Sequence, residues 1–310
     1  MSATLTIFAG TANPDLASRT VQNLGIRLGE CRIVAFPDGE LQVELKESVR
    51  GHDVYLLQST SPPADKHLLE LALLADACHR AGAGRVTALV PYFGYARQDR
   101  CTSPGQALGA RVLTDLLQAC PIERLVTIDL HTAAIEGFFS IAVEHLSAVP
   151  LLVEAARPFV EGPSIVVAPD LGAVKLAKQY AQYLELPLAI VHKIRQSGET
   201  VSVQQVVGDV RDRALVIVDD MLSTGGTLAA SMNALLAAGC TPRAIAVVSH
   251  GLFVGRAEHA LLPLPIQHIL TTDSVAQRPS SLPVEVHSLG PLLAEAIRRL
   301  HNGLVPPQRP

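Results

Sequence analysis

The stretch Ala214–Thr227, ALVIVDDMLSTGGT, constrains this chain more than any other. Val216, Ile217 and Val218 form an apolar, β-branched run, the mark of a strand buried on both faces of a parallel sheet. The run leads into adjacent carboxylates, Asp219 and Asp220, and then a polar loop, Ser223-Thr224-Gly225-Gly226-Thr227. LAASMNALLAAG follows, with apolar residues at helical spacing and a closing Gly239. Such an order of strand, acids, glycine loop and helix start belongs to an open α/β sheet. Ligands of these sheets bind beyond the carboxyl ends of the strands.

The same order predicts a ligand. Loop amides and the Ser223, Thr224 and Thr227 hydroxyls, set at a helix N-terminus, suit an anion. Carboxylates beside that anion suit the vicinal hydroxyls of a sugar, which need acceptors. A sugar phosphate follows, with its phosphate in the loop and its hydroxyls on Asp219 and Asp220. Two acids and a glycine alone would equally describe a solvated strand end. The loop holds no lysine, so a nucleotide-binding P-loop does not fit. The full string resembles the phosphoribosyl-diphosphate-binding motif shared by type I phosphoribosyltransferases and ribose-phosphate diphosphokinases.

Around this stretch the chain alternates strand and helix. Expected strands cover Leu5–Ala9, Leu41–Leu45, Asp53–Gln58, Arg85–Val90, Arg124–Ile128, Ser164–Ala168, Leu188–His192, Ala244–Ser249 and Ile266–Leu270. Expected helices cover Pro14–Leu28, Ala64–Arg80, Gln106–Gln118, Leu171–Tyr183 and Gly290–His301, and Val201–Val207 reads as an antiparallel neighbour. Alternation of this kind implies mainly parallel sheets flanked by helices. The region Val143–Arg157, a strand, Pro150 and a helix, carries the expected crossover between domains. The expected domains are therefore 1–147 and 148–310, with the C-terminal helix able to pack back on the first, and the length of 310 residues suits two.

Composition excludes other classes. The formal charge is −4 and there is no basic block, which argues against a nucleic-acid partner. No apolar run reaches the ~18 residues of a membrane span, and MSATLTIFAGTANPD has no basic region of a signal peptide. Five widely spaced cysteines include no CxxC pair and no Cys/His ligand cluster. A cytoplasmic protein with reduced thiols is the expectation.

Four further clusters fall at expected strand ends. Phe36-Pro37-Asp38-Gly39-Glu40 is a turn whose acids suit a base and a ribose; otherwise it is a charged turn. PYFGYARQDR packs two tyrosines, a phenylalanine, two arginines and an aspartate into ten residues. Arg97-Gln98-Asp99 within it suits a polyphosphate, because guanidinium forks match phosphate oxygens. His131, after Asp129, and Asp170, in VVAPDLG, are candidate metal or phosphate ligands, although a lone histidine is more often structural. Lys193 and Arg195 place two cations past a strand, suited to stabilising charge on a transferring phosphoryl group.

Taken together, FPDGE, PYFGYARQDR, DLH followed by GFF, APD, the K-x-R loop, VDDMLSTGGT and GPLLAEAIRRL resemble the ribose-phosphate diphosphokinase family in order over nearly the whole chain. The resemblance implies two phosphoribosyltransferase-like domains with the active site between them, completed by a neighbouring subunit. It implies ATP contacts at Phe36, Asp38, Gly39, Glu40, Arg97, Gln98, Asp99 and His131, and metal contacts at His131 and Asp170. Lys193 and Arg195 become the catalytic cations. Asp219, Asp220 and Ser223, Thr224, Gly225, Gly226 and Thr227 become the ribose 5-phosphate site. The implied reaction passes the diphosphoryl group of Mg-ATP to ribose 5-phosphate and releases AMP. The implied partners are ATP, ribose 5-phosphate and Mg²⁺, within a homo-oligomer, a dimer or a hexamer.

Some positions depart from the family pattern. CTSPGQALGA, after Arg100, lacks the basic segment of phosphate-regulated members, so weak phosphate activation and weak allosteric ADP inhibition are expected. Ile194 stands where many members have an arginine, Leu171 where a histidine is common, and Ser223 where the loop usually starts with an acid. Two other readings stand beside the enzyme. A catalytically weak regulatory subunit would have no need of Lys193, Arg195, His131 and Asp170. A nucleobase phosphoribosyltransferase would leave the N-terminal half unexplained.

Overall fold

A computed structural model describes residues 3–195 and 202–303, except for the side chains of residues 193–195 and 202–204. In chain order the first elements are β1 (Leu5–Ala9), α1 (Pro14–Leu24), β2 (Cys31–Ala35), β3 (Leu41–Leu45), β4 (Asp53–Leu57), α2 (Ala64–Arg80), β5 (Arg85–Val90), α3 (Gly109–Gln118), β6 (Arg124–Ile128) and β7 (Ala142–Leu146). Then follow α4 (Val149–Ala156), β8 (Ser164–Ala168), α5 (Val174–Leu184), β9 (Leu188–Arg195), β10 (Ser202–Val207) and β11 (Ala214–Leu222). The chain continues through α6 (Gly226–Ala237), β12 (Ala244–Gly251), α7 (Ala257–Leu261), β13 (Ile266–Thr272), β14 (Val284–His287) and α8 (Gly290–His301).

Two compact units result. The first comprises Met1–Ser147, Ser274–Ala276 and Ser288–Pro310, and the second Ala148–Asp273 and Gln277–His287. The last helix, α8, thus belongs to the first unit, where it packs on α1.

The sheet of the first unit is parallel throughout, in the order β1-β4-β5-β6-β7. Its inner strand β4 is buried at every position, as a strand covered on both faces must be. Phe8, Leu56, Leu71, Leu74 and Leu125 lie in this core. A separate antiparallel pair, β2 and β3, pairs Cys31 with Leu45 and Ala35 with Leu41. The second unit has one sheet, β10-β9-β8-β11-β12-β13-β14, in which only β10 runs antiparallel to its neighbour. Ile165, Val167, Ile217, Met232 and Leu235 form part of its core.

Element ends move where local chemistry overrides periodicity. α1 stops at Leu24, four residues before its expected end. Gly25 takes φ +72°, and the bond from the Ile26 amide to the Val21 carbonyl closes the helix. α5 starts at Val174 because Asp170 Oδ1 accepts the Ala173 amide at 3.1 Å and holds the preceding turn. α3 starts at Gly109, since Gly105 at φ +79° turns the chain first. β11 continues through both aspartates to Leu222, and β9 to Arg195, so these polar residues ride on strands.

All five cysteines are free, and burial pushes the Cys78 thiol up to about 12. Among the described residues no helix is long and apolar enough to cross a membrane.

Candidate active site

In the second unit the carboxyl ends of two paired strands gather three acids. Ile217 of β11 pairs with Val167 of β8, so Asp219 and Asp220 and the Pro169–Asp170 turn emerge side by side. The Asp220 amide donates to Asp219 Oδ1 at 2.9 Å. Burial, then the carboxylate of Asp220 and that of Asp170, push the Asp219 carboxyl well above the usual range. Acids gathered in this way have the chemistry to accept hydrogen bonds from sugar hydroxyls.

The loop beyond β11 opens α6. Gly225 sits at φ +77°, and a Cβ there would lie 2.9 Å from Leu261 Cγ, so both conformation and space require glycine. It is the N-cap of α6 and offers no side-chain bond to the first amides of the helix. Thr224, Gly226 and Thr227 are exposed. The loop is held from beneath: the Leu222 carbonyl accepts the Leu252 and Phe253 amides, and the Ser223 carbonyl accepts the Val254 amide at 3.0 Å. A rigid, uncapped helix N-terminus beside acids is a place for an anion whose other end carries hydroxyls.

In the first unit, the candidate residues stand at the ends of β5 and β6 and on the β2–β3 hairpin. Residues 36–40 form the hairpin tip, all exposed, with Gly39 at φ +94°. Asp38 Oδ1 accepts the Glu40 amide at 3.1 Å, and the Gly39 amide donates to the Phe36 carbonyl at 2.9 Å. The Phe36 ring is 45% exposed, an apolar face free for stacking.

After β5, the aromatic-rich segment divides. Tyr92 and Phe93 are buried, and Phe93 meets Phe139 edge-on at 5.8 Å. They are core, not recognition residues. Gly94 passes so close to Thr60 that a Cβ would lie 2.5 Å from its carbonyl oxygen, and its amide donates to Thr60 Oγ1 at 2.7 Å. This anchor leaves Tyr95, Arg97 and Gln98 exposed, with Asp99 partly buried. Gln98 packs over Gly109, where a Cβ would lie 2.4 Å from its Oε1.

His131 is exposed on the turn after β6. The side chains of Lys193 and Arg195 lie outside the described residues; β9 carries their backbone. His131 and Asp170 fall in different units. Among the described residues, no group of three His, Cys, Asp or Glu side chains is placed to hold a metal ion.

Sequence reasoning missed three supporting residues. Ser231, fully buried in α6, donates to the Pro169 and Thr227 carbonyls at 2.9 and 2.8 Å. Glu136 and His145 flank the His131 turn. A serine on the buried face of an apolar helix was the one available signal. The other two owe their places to tertiary pairing.

Two mainly parallel sheets flanked by helices, one of them ending in an acid pair and a glycine loop, define a phosphoribosyltransferase-type protein. Residues 5–120 match the N-terminal domain of ribose phosphate pyrophosphokinase, and residues 151–264 match the phosphoribosyl transferase domain. The chain is 40% identical to ribose-phosphate pyrophosphokinase of Chromobacterium violaceum over 302 residues, 96% of this chain and 92% of that one. It is also 40% identical to the enzyme of Aquifex aeolicus over 300 residues, 96% of each. The crystal structure of phosphoribosylpyrophosphate synthetase from Mycobacterium smegmatis superposes with a TM-score of 0.90 at 34% identity, covering 97% of this chain and 99% of that one. The chain belongs to the ribose-phosphate pyrophosphokinase family.

Proposed function

We propose that the chain transfers the β,γ-diphosphoryl group of ATP to the anomeric hydroxyl of ribose 5-phosphate, giving 5-phosphoribosyl 1-diphosphate and AMP. The observation that carries the acceptor half is the uncapped N-terminus of α6 set against the acid pair of β11. The 5-phosphate takes the amides and hydroxyls of Ser223–Thr227. The ribose hydroxyls donate to Asp219 and Asp220, which offsets the burial and the neighbouring carboxylates that raise the Asp219 carboxyl.

On the donor side, Asp38, Gly39 and Glu40 hold the adenosine, with the exposed Phe36 ring as a stacking surface. Arg97, Gln98, Asp99 and His131 take the phosphates. The sugar oxygen bonds to the β-phosphorus, and the bond from that phosphorus to the oxygen shared with the α-phosphate breaks. AMP leaves with that oxygen, and the hydroxyl proton is released. Such transfers need in-line placement and charge neutralisation more than covalent help. Lys193, Arg195 and Arg97 are assigned to that neutralisation.

Mg²⁺ fits this donor set in one mode. It is commonly held by one or two protein ligands, with substrate phosphates and water completing its shell, and one carboxylate with one imidazole suits that habit. Asp170 and His131 are the residues assigned to it; bound with ATP, it offsets phosphate charge. The same reading carries a cytoplasmic homo-oligomer, a dimer or a hexamer.

Product analysis tests the reaction. Mixed with Mg-ATP and ribose 5-phosphate, the chain is expected to yield AMP and phosphoribosyl diphosphate one for one. ADP in place of AMP would overturn the mechanism, and absence of turnover would favour a regulatory subunit. Weak phosphate activation belongs to the same proposal: residues 101–110 carry no cation, and Arg111 is paired with Asp115 at 2.9 Å. A steep dependence of rate on inorganic phosphate would overturn that part.

A further inference from the structure

The turn that presents His131 is strained. Asp129 sits at φ +38°, a left-handed conformation that side chains other than glycine rarely adopt. Such a conformation persists only where its surroundings fix it. Two bonds from the edge strand β7 do so here. The Asp129 amide donates to the Leu146 carbonyl at 3.1 Å, and the Leu130 amide donates to His145 Nε2 at 2.9 Å.

The second bond specifies the state of the imidazole. A backbone amide only donates, so Nε2 carries the lone pair and the ring proton sits on Nδ1. That proton points to Glu136 Oε1, 2.7 Å away, on the short helical turn Ala133–Phe138 that follows His131. The His145 side chain is 13% exposed and that of Glu136 27%. Glu136 thus fixes the tautomer, His145 fixes the Leu130 amide, and the residues on either side of Leu130 are the strained Asp129 and the exposed His131. On the other side of β7, Glu144 faces Arg299 of α8.

We propose that His145 is a positioning residue: through the Leu130 amide, and with its tautomer set by Glu136, it holds the Asp129–His131 turn in the conformation that delivers His131 to the nucleotide. The inference rests on the reading of His131 as an ATP and metal contact. Residues that orient a ligating histidine from behind typically contribute ten- to a hundredfold in affinity or rate.

The test compares His145→Ala, His145→Gln, His145→Asn and His131→Ala with the double variant His131→Ala/His145→Ala, using steady-state kinetics in both substrates. The expected result for His145→Ala is a fall of about tenfold in kcat/KM for ATP, with KM for ribose 5-phosphate within about twofold. His145→Gln, whose amide oxygen reaches the place of Nε2, recovers part of that loss; His145→Asn, which reaches only the place of Nδ1, does not. The double variant is no slower than His131→Ala, because His145 has then nothing left to position. Native kinetics in His145→Ala, additive losses in the double variant, or equal losses toward both substrates would overturn the proposal while leaving the role of His131 intact. Native kinetics in His131→Ala would overturn the reading of His131 and the proposal with it. A shared fall in melting temperature across Gln and Asn with no difference in their kinetics would mark His145 as merely structural.

Discussion

Arg85 grips Asp53 with both arms of its fork, Nε to Oδ1 at 2.7 Å and Nη2 to Oδ2 at 2.6 Å. His301 of α8 reaches the same Oδ2 at 2.7 Å. Burial alone would raise the Asp53 carboxyl, but its bonds to Arg85 and His301 outweigh that and hold it below the usual range. A carboxyl depressed in the folded state contributes stability above its unfolded value, lost as pH falls through the folded one. Asp53→Asn is expected to cost about 2 kcal/mol at neutral pH, discounted because Arg85 stays about a third exposed. The same variant should flatten the loss of stability below pH ~4. Urea denaturation of both proteins at pH 7 and pH 3 checks each statement.

Asp219 gives the opposite sign. Its carboxyl is raised, so its contribution is fullest below the unfolded value, near pH ~4, and fades as pH climbs through the raised one. The ligand-free protein should therefore lose stability over that climb. Asp219→Asn should raise the melting temperature at pH 8 while weakening ribose 5-phosphate binding at least about tenfold. A melting temperature at pH 8 that drops in the variant would count against the repulsion described.

Ser231 joins the turn that carries Asp170 to the helix that opens the anion loop. Ser231→Ala removes one hydroxyl from a fully buried position and should cost about 1 kcal/mol of stability. If the bond sets the spacing of loop and turn, KM for ribose 5-phosphate rises about threefold to tenfold, with KM for ATP changed less. Isothermal titration with ribose 5-phosphate separates this from a loss of folded protein.

Lys193 is assigned to charge that develops during transfer. Lys193→Ala is then expected to lower kcat by about two to three orders of magnitude while the ATP dissociation constant stays within about twofold. Parallel losses in binding and turnover would move the lysine to ground-state recognition.

The sequence made the sheets legible because their strands are mostly apolar and rich in β-branched residues, as in Arg85–Val90 and Ser164–Ala168, which the structure reproduces residue for residue. The short antiparallel pair was half visible: Leu41–Leu45 has the right alternation, whereas no strand was expected over Cys31–Ala35. β14 and α7, of four and five residues, are too short for periodicity to register. The acid pair and glycine loop of the second unit were legible because one contiguous stretch carries them. Tyr92 and Phe93 misled, since composition cannot tell an aromatic that binds from one that fills a core. His145 was invisible, and Ser231 showed only as a serine on an apolar helix, because Leu130 and Pro169, which they hold, stand 15 and 62 residues away along the chain.

The helix α8 also sets an order of events. It packs on α1, its Leu300 carbonyl accepts Arg85 Nη2, and it supplies His301 to Asp53, yet it is synthesised after the whole second unit. Domains made on the ribosome generally fold as units, earlier ones first. Here the unit that emerges first is finished last. Until α8 leaves the exit tunnel, Asp53 lacks one of its partners and α1 exposes the face that α8 will cover. The second unit, complete in sequence before then, is the one positioned to fold first, while the first still waits for its final helix.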